Sequence, residues 1–107
     1  MAAYALAHMH SVDFGPQIIE YLERIDATLD DFGGRFIVHG NPIELIEGSW
    51  DGNLIIIEFP DLERARAWYD SPQYQEILPL RTENSVSDTL LVGGMPDGYR
   101  GADSLKH

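Results

Sequence analysis

The sequence predicts an α+β domain: a four-stranded antiparallel sheet with helices on one face and the second face covered by a second copy, sheet against sheet. Three observations carry this. Short runs rich in β-branched residues alternate with runs whose apolar residues recur every three or four positions. These runs follow the order β-α-β-β-α-β. And the run LIIIEF (54–59) is apolar on both faces until Glu58, so both faces of the sheet need a cover.

The first strand is AYALAHMH (3–10), short and partly alternating. Across 13–34 the period changes, and Ile18, Leu22, Ile25, Leu29 and Phe32 place one apolar stripe on a helix. Pro16 suits the first turn, where its missing N–H has no partner to lose, and Gly33-Gly34 supply the stop. RFIVHG (35–40) is the second strand. Asn41-Pro42 marks a turn, IELIEG (43–48) continues as extended or bent chain, and Trp50-Asp51-Gly52-Asn53 reads as a tight reversal into strand 54–59.

Asp61 is the expected N-cap of the next helix, whose stripe is Leu62, Ala65 and Tyr69. Ser71 precedes Pro72, which disfavours helical geometry at Ser71 and breaks the helix. The same pair restarts a helix, with Ser71 as N-cap and Pro72 in the first position. Pro79 is expected to kink or end that second piece. SDTLLVGG (87–94) closes the sheet. The order is the split βαβ, ferredoxin-like arrangement, spanning residues 1–94, and residues 95–107 form an extended tail.

Composition narrows the function. The formal charge is −11, from 18 acidic and 7 basic residues among 107, and Lys106 is the one lysine. Such a surface repels phosphate backbones and anionic lipids, so neither nucleic acid nor membrane is an expected partner. No cysteine is present, which excludes disulfides, thiol catalysis and cysteine-ligated metals. The N-terminus MAAYALAHMH lacks a basic leader, and no apolar run reaches the ~20 residues of a membrane span. A cytoplasmic location is expected.

Side chains alternate across a strand, and one assignment places Ala5, Ala7, Phe36, Val38, Ile55, Ile57, Leu90 and Val92 under the helices. The other face then carries Leu6, His8, His10, Arg35, Ile37, His39, Leu54, Ile56 and Glu58. Imidazoles and a carboxylate among aliphatic side chains suit a pocket lining more than a dry core.

The stretches AHMHSVD, GGRFIVHG and IELIEGSWDGNLIIIEFPDLERARAWYDSPQYQ together resemble a bacterial family known as domain of unknown function 1330. The resemblance runs from residue 3 to about residue 94, and EFPDLERARAWYDSPQYQ is its most specific part. That family looks like a branch of the dimeric α/β-barrel superfamily, so the resemblance implies a homodimer with a shared barrel between its sheets. It implies no reaction. Relatives in the wider superfamily include cofactor-independent monooxygenases, small isomerases and haem-binding or haem-degrading proteins, and transfer from any of them is fold analogy.

A histidine beside a carboxylate in a shielded pocket suits general acid–base work near neutral pH, which makes His8, His39 and Glu58 the expected catalytic residues. Arg35, Tyr69 and Arg81 are the expected substrate-binding residues, although the acidic surroundings favour an internal salt bridge for each arginine. His8-x-His10 puts two imidazoles on one face, as a metal site would need, but no metal spacing motif is present and none is expected. Cofactors are likewise not expected: there is no G-x-G-x-x-G or Walker loop, and neither predicted helix carries a histidine for haem. No G-x-S-x-G elbow exists, and capping already explains Ser71. The expected function is a homodimeric enzyme without tightly bound cofactor, acting on a small organic molecule by acid–base chemistry. The competing expectation is a small-molecule binding or interaction module whose polar pocket is structural.

Overall fold

The computed structural model describes residues 1–106. Its elements are β1 (Ala3–Val12), α1 (Pro16–Asp30), β2 (Arg35–His39), β3 (Asn53–Phe59), α2 (Leu62–Asp70), α3 (Pro72–Thr82) and β4 (Ser85–Gly93). The strands form one antiparallel sheet in the order β2-β3-β1-β4, the expected ferredoxin-like arrangement with its second helix divided in two. Residues 95–106 leave the sheet and carry one 3-10 turn, Gly101–Leu105.

Pro16 opens α1 as expected, but the helix ends at Asp30, and Gly33, at φ +71°, turns the chain into β2. Its buried stripe is Ile18, Tyr21, Ile25, Thr28 and Leu29. Leu22, expected on that stripe, is exposed, because the 3.6-residue period places Tyr21 inward instead.

Asp61 caps α2 by accepting from the Arg64 N–H at 2.8 Å. The inward side chains of α2 are Ala65 and Trp68, while Leu62 is exposed. Ser71, in extended backbone, ends α2 and starts α3. Its Oγ donates to the Trp68 carbonyl at 2.7 Å and accepts from the Tyr74 N–H at 3.3 Å. One hydroxyl thus satisfies an orphan group at each helix end. Of the two outcomes expected at Pro79, a kink or an end, the end does not occur: α3 continues to Thr82. Pro79 deprives the Gln75 carbonyl of a partner, but Gln75 lies on the exposed side of the helix. Buried Ile77 and Arg81 hold the helix on either side of it.

The sheet corrects the expected face assignment. Ala5 pairs with Ile57 and Leu91, while Leu6 pairs with Ile56 and Leu90. Leu90 and Val92 therefore lie on the uncovered face, and Leu91 faces the helices. On β2, Phe36 pairs with Ile57 but Val38 pairs with Ile56, so Ile37 is one extra residue and the parity inverts there. Val38 moves to the uncovered face. His39, opposite Ile55, moves to the helix face.

The core lies between this sheet and the helices, centred on Leu29, Phe59, Trp68, Tyr74 and Ile77. The tight reversal expected at 50–53 is the end of a long irregular loop, 40–52. That loop presses onto β1: Gly52 has φ +74°, and a Cβ there would collide with the Met9 carbonyl.

Two substitutions test this packing. Ser71→Ala removes a cap and should cost about 1 kcal/mol. Ile77→Ala empties a fully buried position and should cost about 2–5 kcal/mol. Both should lower the urea midpoint at unchanged slope; a Ser71→Ala midpoint equal to wild type would contradict the double role of that hydroxyl.

Candidate functional site

Between the sheet and the helices lies a cavity of about 600 Å³. Ala5, Ala7, Ile55 and Ile57 from the sheet and Ile18 and Ile25 from α1 give it apolar walls, and Trp68 and Tyr69 add aromatic surface from α2. The small side chains of β1 make the room: two alanines at alternate positions leave the helices no bulk to rest on.

Polar groups converge on one part of this lining. The Tyr21 and Tyr74 hydroxyls are 2.7 Å apart and both residues are buried. Arg81 stands beside them at 7% exposure and donates from Nη1 to the Ser87 hydroxyl at 3.0 Å. Burial, then the Tyr74 hydroxyl beside it, pushes the Tyr21 pKa far above the ordinary tyrosine value, so Tyr21 is a neutral hydrogen-bonding group and not a base. Burial opposes the charge on Arg81, but the Tyr74 and Tyr21 oxygens more than offset this, and its pKa stays above the ordinary arginine value. Arg81 is therefore a permanent cation in a largely apolar cavity. The internal salt bridge expected for it is absent: among the described residues no carboxylate lies within ion-pair distance of Arg81. Its polar neighbours are the Tyr21 and Tyr74 hydroxyls and the Ser87 hydroxyl, and Ser85 Oγ donates to its backbone carbonyl at 2.7 Å.

His39 also lines the cavity, at the exposed end of β2, with its ring stacked on Phe36 at 4.5 Å and 13°. Arg66 and Asn53 lie on the same lining. Of the six residues expected to form the site, the structure thus places His39, Tyr69 and Arg81 on one cavity.

The other three lie on the opposite face of the sheet. Glu58 accepts from Arg35 Nη2 at 2.9 Å and Nε at 3.2 Å, the cross-strand salt bridge expected for that arginine. Glu58 pairs with Tyr4, four residues along β1 from His8, or ~13 Å at the strand rise. Glu58 and His8 are therefore not neighbours, and His39 is separated from both by the sheet. His8 instead stacks on Trp50 at 3.8 Å and 9° and meets His10 and Asp51, whose ligand atoms lie within 4.8 Å of one another. Among the described residues this is the one grouping with the composition of a metal-ligand set.

Sequence reasoning missed Tyr21, Asp51 and Asp88. Tyr21 was legible, since it falls three residues after Ile18 and four before Ile25. Asp51 had no local signal, because it reaches His10 across 41 residues by closure of the 40–52 loop.

His10 sits between two carboxylates, its Nε2 2.8 Å from Asp88 Oδ2 and its Nδ1 2.8 Å from Asp51 Oδ1, and when protonated it donates to both. The Asp88 hydrogen bond first, then that to Asp51, raises its pKa above the ordinary 6.5. The His10 bond in turn lowers the Asp51 pKa. A raised folded-state value means that the stabilisation from protonated His10 is complete below the unfolded value and is lost as pH rises through the folded one. For Asp51 the contribution is present above its unfolded value and is lost as pH falls through the lowered one. In chelator-treated protein, NMR titration should give a His10 midpoint above 6.5 that falls back in Asp88→Asn. An unshifted midpoint in the wild type would contradict the pairing.

Comparison with known proteins places this geometry. A family model described as domain of unknown function (DUF1330) matches residues 2–95. None of the curated proteins matches the chain. Among solved structures, a dimeric ferredoxin-like protein of unknown function from Jannaschia sp. CCS1 is similar at TM-score 0.67 and 13% identity, covering 88% of this chain and 100% of its own. A protein of unknown function from Rhodopseudomonas palustris is similar at TM-score 0.63 and 17% identity, with coverage of 89% and 83%. SnoaB, a cofactor-independent oxygenase from Streptomyces nogalater, is similar at TM-score 0.54 and 15% identity, with coverage of 92% and 96%. At these identities the likeness is one of fold.

Proposed function

The chain belongs to the family described as domain of unknown function (DUF1330), and we propose that it is a homodimeric enzyme without tightly bound cofactor. Its substrate in this reading is a small, largely apolar organic molecule carrying one anionic group, bound in the cavity between sheet and helices. One observation carries the reading: Arg81 is a buried cation with no carboxylate partner among the described residues, set in apolar and aromatic walls. Burying a charge without an opposite charge is costly, and a bound carboxylate, enolate or phenolate would supply it. A cavity of about 600 Å³ is in the range of small-molecule sites.

The roles follow from position. Arg81 neutralises the anionic group, and the neutral Tyr21–Tyr74 pair offers a hydrogen bond beside it. Trp68 and Tyr69 present aromatic surface to the substrate body. His39, at the exposed end of the lining, takes or gives a proton, the acid–base step of the reaction. His8, Glu58 and Arg35 have no part in this chemistry, since they face away from the cavity. SnoaB gives this reading an analogy and no more: a protein of similar fold that is a cofactor-independent oxygenase.

The homodimer rests on the uncovered sheet face. Leu90 and Val92 are about half exposed there beside Leu6 and Ile56. A patch of this kind is characteristic of an interaction surface, and a second copy fits an isologous apolar face.

Two experiments test these points. Quenching of tryptophan fluorescence should show that aromatic carboxylates bind at least about tenfold more tightly than the matching neutral amides, a difference of the size a charge-assisted hydrogen bond supplies. Arg81→Gln should abolish that preference. Equal binding of acid and amide by the wild type would sink the anionic substrate. For the assembly, gel filtration should give a dimer at micromolar concentration and a monomer for Leu90→Asp; a monomeric wild type would refute it.

A further inference from the structure

The sheet face turned away from the cavity holds a second constellation, independent of the proposed substrate site. His8 and His10 project from β1, and Asp51 approaches from the end of the 40–52 loop. His8 Nε2 is 3.1 Å and His10 Nδ1 is 2.8 Å from the same oxygen, Asp51 Oδ1. Donors held at about 2.0–2.1 Å from one tetrahedral ion lie ~3.3 Å from each other, and the three ligand atoms here, all within 4.8 Å of one another, need only a small adjustment to reach that spacing.

The surroundings fix both rings. His10 Nε2 bonds Asp88 Oδ2 at 2.8 Å, which leaves Nδ1 facing the cluster. A carboxylate on the far nitrogen of a ligating imidazole orients the ring and raises its basicity. His8 is held by the face of Trp50 at 3.8 Å, and its Nε2 donates to the Asp51 carbonyl oxygen at 2.6 Å, a bond that ligation through Nε2 would replace. The imidazoles are mostly shielded, at 20% and 29% side-chain exposure, while Asp51 stands at 69%. Within one protomer the cluster is therefore open on the Asp51 side, on the same sheet face that the proposed dimer covers.

We propose that His8, His10 and Asp51 bind one divalent transition-metal ion per protomer, with Asp88 as the residue that positions His10. Two imidazoles and one carboxylate suit Zn²⁺ and Co²⁺ and not the oxygen-seeking Mg²⁺ or Ca²⁺. The ion takes the place of the protons now shared between the imidazoles and Asp51, and those protons leave to solvent. Because two ligands belong to the sheet and one to the loop, the ion clips the long 40–52 excursion onto β1.

The test uses tag-free, full-length protein, stripped with chelator and titrated with Co²⁺ and then Zn²⁺. Visible d–d absorption should saturate at one Co²⁺ per protomer, and Zn²⁺ should displace it and raise the melting temperature. Asp51→Asn and Asp88→Asn change only exposed side chains and should each weaken Co²⁺ binding about 10- to 100-fold. The double variant His8→Gln/His10→Gln should lose the absorption band. Glu58→Gln, ~13 Å along the same face, should bind as wild type does. No absorption band in the wild type overturns the proposal, as does a band that persists in the double histidine variant. Equal loss in Glu58→Gln overturns it too, by placing the ion elsewhere.

Discussion

The junction at Ser71–Pro72 is the constraint from which the helical layer takes its shape. Proline forbids continuation of α2, and the serine hydroxyl closes one helix while opening the next. The resulting break brings Trp68 and Tyr74, at opposite sides of the junction, to 4.0 Å between ring centroids. Trp68 then reaches across to α1, donating from Nε1 to Thr28 Oγ1 at 3.0 Å, and the Tyr74 hydroxyl meets that of Tyr21 on α1 at 2.7 Å. A single straight helix would not bring both rings onto α1. The buried tyrosine pair, and with it the polar side of the cavity, depends on this break.

The sheet contributes room and separation. Alanines on β1 leave space beneath the helices, and the extra residue in β2 turns His39 toward that space while Val38 turns away from it. Two chemically distinct surfaces result. One is a cleft between sheet and helices, aromatic and cationic at Arg81; the other carries the β1 histidines and their carboxylates and is lined with aliphatic side chains. A four-stranded sheet keeps them apart, which is why histidines that look equivalent along the chain have different partners.

The electrostatics of the chain and of the cavity have opposite signs. With 18 acidic and 7 basic residues the surface is strongly negative, yet the enclosed charge is an arginine. Surface charges are screened over ~10 Å at ordinary salt, whereas a buried cation acts in a medium of lower dielectric. The charge of Arg81 is therefore felt within the cavity despite the net charge around it. Arg35, exposed and paired with Glu58, is neutralised by its neighbour and has little influence beyond it.

Much of the fold was written in local sequence. Periodicity separated the helices from the strands, and Asp61 and Ser71 announced their caps, because each of these depends on neighbours within one or two turns. Tyr21 obeyed the same helical period. The site was legible only in part: His39, Tyr69 and Arg81 could be named, but not that they share a cavity from which His8 and Glu58 are excluded. A one-residue bulge at Ile37 reverses every later side chain on β2, and no local preference marks where it falls. Nor does any spacing reveal that Asp51 meets His10 or that Arg81 lacks a carboxylate, since both follow from how a long loop and a helix end pack against distant strands. The sequence by itself determined the elements and their order, through short-range sterics and burial; only the tertiary structure decided which faces those elements turn to each other, because that choice is made by contacts between residues far apart in the chain.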